Sequence, residues 1–281
     1  MYFKKFDDLT FADHYIFEKV LQNKEICQEL LERLLKIKIE HLEYPEIEKT
    51  ISPYYETKGV RLDVYVKDSN KVFDIELQNA NDVDIHLRTR YYQSMLDTNN
   101  LLKGEHYSNL PESFIIFICN YDPFGKNLPI YSFENHCLEN PDVILKDKCN
   151  KKFFNATSYK KEKDVEISAF LEYIIDKKSS TDFTTKLDAL VEKTKLNEIF
   201  RGDYMAWGLA EFDAEQRGKK EGYSAGVSDG FSQGIQQGEH QKAIETAINF
   251  LQMGISVEQV VQGTGLSFEV INELKSQLSQ S

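Results

Sequence analysis

With 281 residues, 41% of them hydrophobic and 28% charged, the chain has an ordinary globular composition and enough length for one sizeable domain plus an appendage. Its formal net charge of -12 excludes coating of nucleic acid by bulk electrostatics, although it leaves room for a local basic surface. The cysteines Cys27, Cys119, Cys137 and Cys149 form no CxxC pair and have no His at zinc-finger spacing, which argues against a disulfide framework or a structural zinc site.

The N-terminal stretch "MYFKKFDDLTFADHYIF" lacks the apolar core of a signal peptide, and the longest apolar run, "FIIFIC", is far too short to span a bilayer. A soluble cytoplasmic protein without a membrane partner is therefore expected. Over residues 11 to 38, Phe11, Ile16, Phe17, Val20, Leu21, Leu30, Leu31, Leu34 and Leu35 recur at helical spacing and predict one or two amphipathic helices. "GVRLDVYVKDSNKVFDIELQNAND" then predicts a β-hairpin over 60 to 78. "DVDIHLRTRYYQSMLDTNNLL" predicts a helix from Asp82, and "SFIIFICN" after Pro111 predicts a buried central strand. Strands at 129–138 and 151–157 and helices at 164–177 and 182–212 complete an α/β domain with a mixed sheet.

The hairpin raises a chemical question. Side chains alternate along a strand, so Arg61, Asp63 and Tyr65 share one face while Leu62, Val64 and Val66 share the other. Asp74, Glu76 and Gln78 likewise lie opposite Phe73, Ile75 and Leu77. A connection of two or four residues would set Asp63 across from Asp74 or Glu76, and a four-residue one at Asp68 to Lys71 would pair it with Glu76. Opposed Cβ atoms stand about 4.5–5.5 Å apart, where like charges repel. A shared proton or a hard cation such as Mg²⁺ would offset that repulsion, whereas a solvated sheet face would need neither.

The stretch "RLDVYVKDSNKVFDIELQN", followed by "LRTRYYQSMLD", "FIIFICNYDPFG" and a tail with glycine at every fourth position, resembles the recombination-promoting nuclease and transposase branch of the PD-(D/E)XK nuclease superfamily. The resemblance implies a restriction-endonuclease-like mixed sheet flanked by helices and a Mg²⁺-dependent DNA endonuclease linked to recombination or transposon-type elements. It implies Asp63 and Glu76 as metal-binding acids and Gln78 in the place usually held by Lys. An amide hydrogen-bonds but does not titrate, so Gln78 departs from the usual chemistry. A further acid is expected from the N-terminal helix, with Asp13 and Glu18 both candidates, and Arg88 is expected to contact phosphate or neutralise the acids. On this reading the acids serve a cation rather than the core, and removing either should leave the metal-free fold no less stable. The rival reading is a DNA-binding or assembly protein of transposase origin with a decayed site. A glycosidase carboxylate pair would need more aromatics on that face than Tyr65.

Residues 146–163, "KDKCNKKFFNATSYKKEK", interleave lysines with Phe153, Phe154 and Tyr159. Lys151 and Lys152 are candidate phosphate contacts, and a polar hairpin with a half-buried strand has the same composition. The domain is expected to end near residue 212, with a spacer or helix over 213–243 and a small helical module over 244–281. In the spacer Gly218, Gly222, Gly226, Gly230, Gly234 and Gly238 recur with period four. Ser256 and Ser267 are expected to cap the last helices. Glu269 and Glu273 against Lys275 make the final helix a poor groove reader, so the tail is expected to join copies into a homo-oligomer rather than to read DNA.

Overall fold

The computed structural model describes residues 4–52 and 58–278. The chain divides into two compact units, Met1–Ala206 and Trp207–Ser281.

The first unit is a six-stranded mixed sheet with helices on both faces. In chain order it comprises α1 (His14–Leu21), α2 (Lys24–Leu35), β1 (Glu46–Ile51), β2 (Val60–Asp68), β3 (Lys71–Gln78), α3 (Ile85–Asn100), β4 (Glu112–Cys119), β5 (Ile130–Phe133), β6 (Cys149–Asn155), α4 (Val165–Asp176) and α5 (Asp182–Lys195). The strand order is β1-β2-β3-β4-β6-β5. β1, β2 and β3 form an antiparallel meander, β3 runs parallel to β4 and β4 parallel to β6, and β5 closes the other edge antiparallel to β6. A parallel β3–β4 pair requires a crossover, and α3 supplies it. The run "FIIFIC" becomes β4, whose residues from Ser113 to Cys119 are all buried, as an inner strand with both faces covered demands.

One face of the sheet, with Val64, Val66, Phe73, Ile75, Leu77, Ile116, Ile118 and Phe154, packs against apolar stripes of α1, α2, α4 and α5. The other face packs Tyr65, Val72, Ile115, Phe117 and Phe153 against Ile85, Met95 and Leu96 of α3. The expected grouping of Leu62 with Val64 and Val66 does not hold, because Leu62 packs with Ile51, Val60 and Tyr65 in the second cluster. β2 changes its pairing at this point. Its ladder with β3 ends at Val64↔Ile75, and its register with β1 passes from Val64 to Leu62 without a rung at Asp63. The hairpin turn takes the shorter of the two expected lengths. Asp68 pairs directly with Lys71, leaving Ser69 (φ +47°) and Asn70 as the connection.

β1 carries the weak pattern "EIEKTI" of a largely polar edge strand. The helix expected over 182–212 is broken after Lys195, and the start of α6 (Glu198–Gln252) is capped by the preceding Asn197, whose Oδ1 accepts hydrogen bonds from the Ile199 and Phe200 amides. Within the first unit, Arg201 is paired with Asp7 at 2.6 Å and Tyr204 is buried.

The second unit contains the remainder of α6, then α7 (Val257–Thr264) and α8 (Phe268–Leu278). The period-four glycines lie inside α6, and a Cβ added at any of the six would meet nothing within 4 Å. Ala247, Val260, Leu266 and Ile271 form a small core, and the expected caps are present. Ser256 Oγ accepts from the Gln259 amide at 3.4 Å, and Ser267 Oγ from the Val270 amide at 3.4 Å. Gly265, at φ +69°, ends α7 in the left-handed conformation that only glycine adopts cheaply.

Among the described residues, no helix is long and apolar enough to cross a membrane, and all four cysteines are free.

Candidate active site at the end of the central hairpin

Where the β2–β3 ladder stops, side chains take over from backbone. The Asp63 amide donates to Glu76 Oε1 at 2.9 Å, and the Leu77 amide donates to Asp63 Oδ2 at 3.0 Å. Each acid thus satisfies a backbone donor of the opposite strand, at the register position where the two residues face each other. These bonds orient both side chains and leave each a second oxygen.

The polar face of the hairpin is not solvated. α3 closes over it, so Glu76 is only 4% exposed and Asp74 is completely buried. Apart from the neighbouring Glu76 carboxyl, neither Asp74 oxygen meets a donor, an arrangement that an ionised carboxylate tolerates poorly. Burial above all, then proximity to Asp63, pushes the Asp74 carboxyl up to about 8, with partial relief from Glu76 and Arg88. Glu76 is held well above the usual carboxylate range by burial, reinforced by Asp74 and Asp63. Asp74 follows from the D-x-E spacing of one strand face, yet its burial has no sequence signal of its own.

Arg88, one turn into α3, places a cation beside the buried acids. Its Nη2 donates to Gln78 Oε1 at 2.6 Å and lies 3.9 Å from Glu76 Oε2, while Nη1 binds Asp82 at 2.9 Å. The guanidinium lies over the rings of Phe117, at 5.0 Å, and Tyr92, at 5.6 Å. Gln78 spends its amide nitrogen on the Ala80 carbonyl at 2.7 Å, so its side chain acts as a brace for Arg88.

α1 delivers further groups. Its start is tied to the end of β3 by Asn79, which donates to the Ala12 carbonyl at 2.7 Å. His14 Nδ1 lies 3.4 Å from Asp63 Oδ2, and its hydrogen bond to Asp63 is the main cause of its raised pKa. Glu18 is pushed up to about 7, chiefly by burial and then by Glu48 and Asp63. Asp13 is engaged elsewhere, accepting from Lys4 at 2.5 Å and from the Thr10 amide at 2.7 Å. Of the two N-terminal acids, Glu18 is therefore the one in the field of Asp63. Glu48, on β1 with φ +51°, occupies the register position opposite Asp63, and the weak pattern of its polar edge strand gives it no signal in the sequence.

Lys151 and Lys152 do not form one patch. Adjacent residues of β6 point to opposite faces, so Lys151 lies on the Phe153 side and lines a cavity there, while Lys152 lies on the Phe154 side, half-buried, with its pKa lowered by burial.

Among the described residues, no group of three or more His, Cys, Asp or Glu side chains forms a ready-made metal cage. The chemistry of the donors nevertheless fits a hard cation. Asp63, Asp74, Glu76 and Glu18 are oxygen donors in mutual repulsion, and the nearby Arg88 is already committed to Asp82 and Gln78.

A mixed sheet with helices on both faces and buried acids where a hairpin ladder ends defines an α/β protein of nuclease-like architecture. The chain belongs to the PD-(D/E)XK nuclease family transposases, whose family model matches residues 6–198. Searches among curated proteins and among solved structures found no match.

Proposed function

We propose that the protein is a metal-dependent DNA endonuclease that hydrolyses phosphodiester bonds, in the service of recombination or of a transposon-type element. The observation that supports this reading best is the reciprocal arrangement of Asp63 and Glu76, each fixed by the opposite strand's amide, beside two further acids with raised pKa values. Asp63 and Glu76 would hold a divalent cation, Mg²⁺ by donor chemistry, with Glu18 rather than Asp13 as the acid from α1. Such an ion, when bound, lowers the pKa of its water and stabilises charge on a phosphoryl group. The chain's own groups then have distinct roles. The amides of Asp63 and Leu77 keep the carboxylates aimed, Gln78 braces Arg88, and Arg88 offsets negative charge beside Glu76. His14, next to Asp63 and half-exposed, is suited to carry a proton at the solvent edge of the site.

A second reading, a family member that binds or assembles on DNA without cutting it, draws support from Gln78. Its amide cannot titrate, and both of its ends are already bonded. Incubating supercoiled plasmid with the purified protein in Mg²⁺ or in EDTA separates the two. The endonuclease reading expects cleavage in Mg²⁺ only, lost in Asp63→Asn and in Glu76→Gln. Equal cleavage by the parent and both variants would refute the assignment of the site, and binding without cleavage would favour the second reading.

A further inference from the structure

On the α3 side of the sheet, the candidate acids belong to a transverse row of paired positions. Glu76 lies in register with Phe117, Phe117 with Phe153, and Phe153 with Tyr131. Neighbouring strands are about 4.8 Å apart, so Phe153 stands roughly 10 Å from the Glu76 position, with Phe117 and its overlying Arg88 in between. At this far end of the row a cavity of about 260 Å³ opens, lined by Phe124, Phe133, Phe153, His86, Glu134 and Lys151 among others. Its aromatic wall is continuous with the row. Phe117 and Phe153 stack at 5.2 Å, Phe124 meets Phe153 edge-on at 5.0 Å, and Phe133 meets Phe124 edge-on at 5.1 Å. Phe133 is 44% exposed, so its ring remains available to an occupant.

Aromatic rings set edge to face, with the exposed Phe133 ring among them and His86, Glu134 and Lys151 in the same lining, suit a flat aromatic molecule whose edges carry donors and acceptors and whose attachment is anionic. Base–aromatic stacking with a lysine on the backbone is the mode by which proteins hold unpaired nucleotides. Resting on the nuclease reading above, we propose that this cavity seats an unpaired nucleobase of the substrate strand, next to the phosphate presented to Asp63 and Glu76. Lys151 contacts the phosphate of that nucleotide, and Phe133 provides the stacking surface. The favoured substrate is then DNA carrying a single-stranded segment, a flap or an extruded base at the cut, rather than continuous duplex.

The test is binding by the full-length Glu76→Gln protein in EDTA, followed by fluorescence anisotropy, to a short oligothymidylate and to an abasic strand of the same length. The oligothymidylate is expected to bind more tightly. Phe133→Ala should shrink that preference by about tenfold, within the range lost with one stacking platform, and Phe133→Trp should restore it. Lys151→Gln should weaken both strands alike. The proposal is overturned if the two strands bind equally, or if Phe133→Ala leaves the preference intact. Because no cleavage is needed, the two readings fail separately. A protein that prefers bases yet never cuts plasmid loses only the nuclease assignment, and one that cuts through its acids but shows no base preference loses only the cavity.

Discussion

Replacing Asp74 by Asn probes the buried acids without touching the reciprocal bonds of Asp63 and Glu76. Asp74 is fully buried, its oxygens meet no donor beyond the neighbouring Glu76 carboxyl, and its carboxyl is pushed from 3.8 up to about 8, mainly by burial. Because the folded pKa lies above the unfolded one, the native protein retains a proton that the unfolded chain has released. Stability present at low pH is therefore lost as pH rises through this window. At about 1.4 kcal/mol per pH unit, the loss between pH 5 and pH 8 is at most roughly 4 kcal/mol. Glu76 shares the proton and takes up part of the change, so about half of that maximum is the reasonable expectation. Asp74→Asn, nearly isosteric and always neutral, should stabilise the metal-free protein by about 2 kcal/mol more at pH 8 than at pH 5, a difference of roughly 4–8 °C in the shift of the midpoint. Thermal unfolding of parent and variant, followed by circular dichroism in EDTA at the two pH values, measures this directly. A variant stabilised equally at both, or destabilised more at pH 8, would refute the claim that burial of an ionisable Asp74 controls the pH response.

Glu76→Ala should abolish cleavage like Glu76→Gln, but it should also be about 1–3 kcal/mol less stable in denaturant titration, because it orphans the Asp63 amide that Gln can still satisfy. This reverses the expectation that removing an acid leaves the metal-free fold no less stable. Gln78→Lys should reduce plasmid cleavage at least as much as Gln78→Ala, since a second cation would stand where Arg88 now finds an acceptor at 2.6 Å. Better cleavage by the Lys variant would show that Arg88 does not need the brace. Truncation after Arg217 keeps the Arg201–Asp7 pair and buried Tyr204, so the shortened chain should remain folded, sediment as a smaller species and nick plasmid more than it linearises it. Unchanged sedimentation and double-strand cutting would move assembly into the first unit.

What was legible in the sequence is what periodicity encodes. The helical stripes of α1 and α2, the hairpin and the apolar run of β4 were read from side-chain spacing, and the Asp63–Glu76 opposition followed from register. The same alternation did not distinguish a wetted polar face from one closed by a crossover helix. The burial of Asp74 and Glu76 comes from α3, which the spacing of the strand residues does not encode. β1 was missed because a polar edge strand repeats too weakly. Lys151 and Lys152 were read together because composition ignores the two faces of a strand. The glycine repeat left spacer and helix open, since its cost of about 0.8–1.0 kcal/mol per residue opposes a helix without forbidding one.

The reciprocal bonds at the end of the hairpin also bear on how this lineage records its history. Asp63 and Glu76 each close a gap left by a missing backbone rung, so the sheet needs them whether or not DNA is cut. A descendant that gave up cleavage would keep its signature acids, and their persistence in a genome is testimony to the architecture before it is testimony to the chemistry. Erosion should surface first at positions with less to hold up, such as His14 at the solvent edge and Lys151 on the cavity rim. Those are the places to look when sorting active members of such a lineage from retired ones.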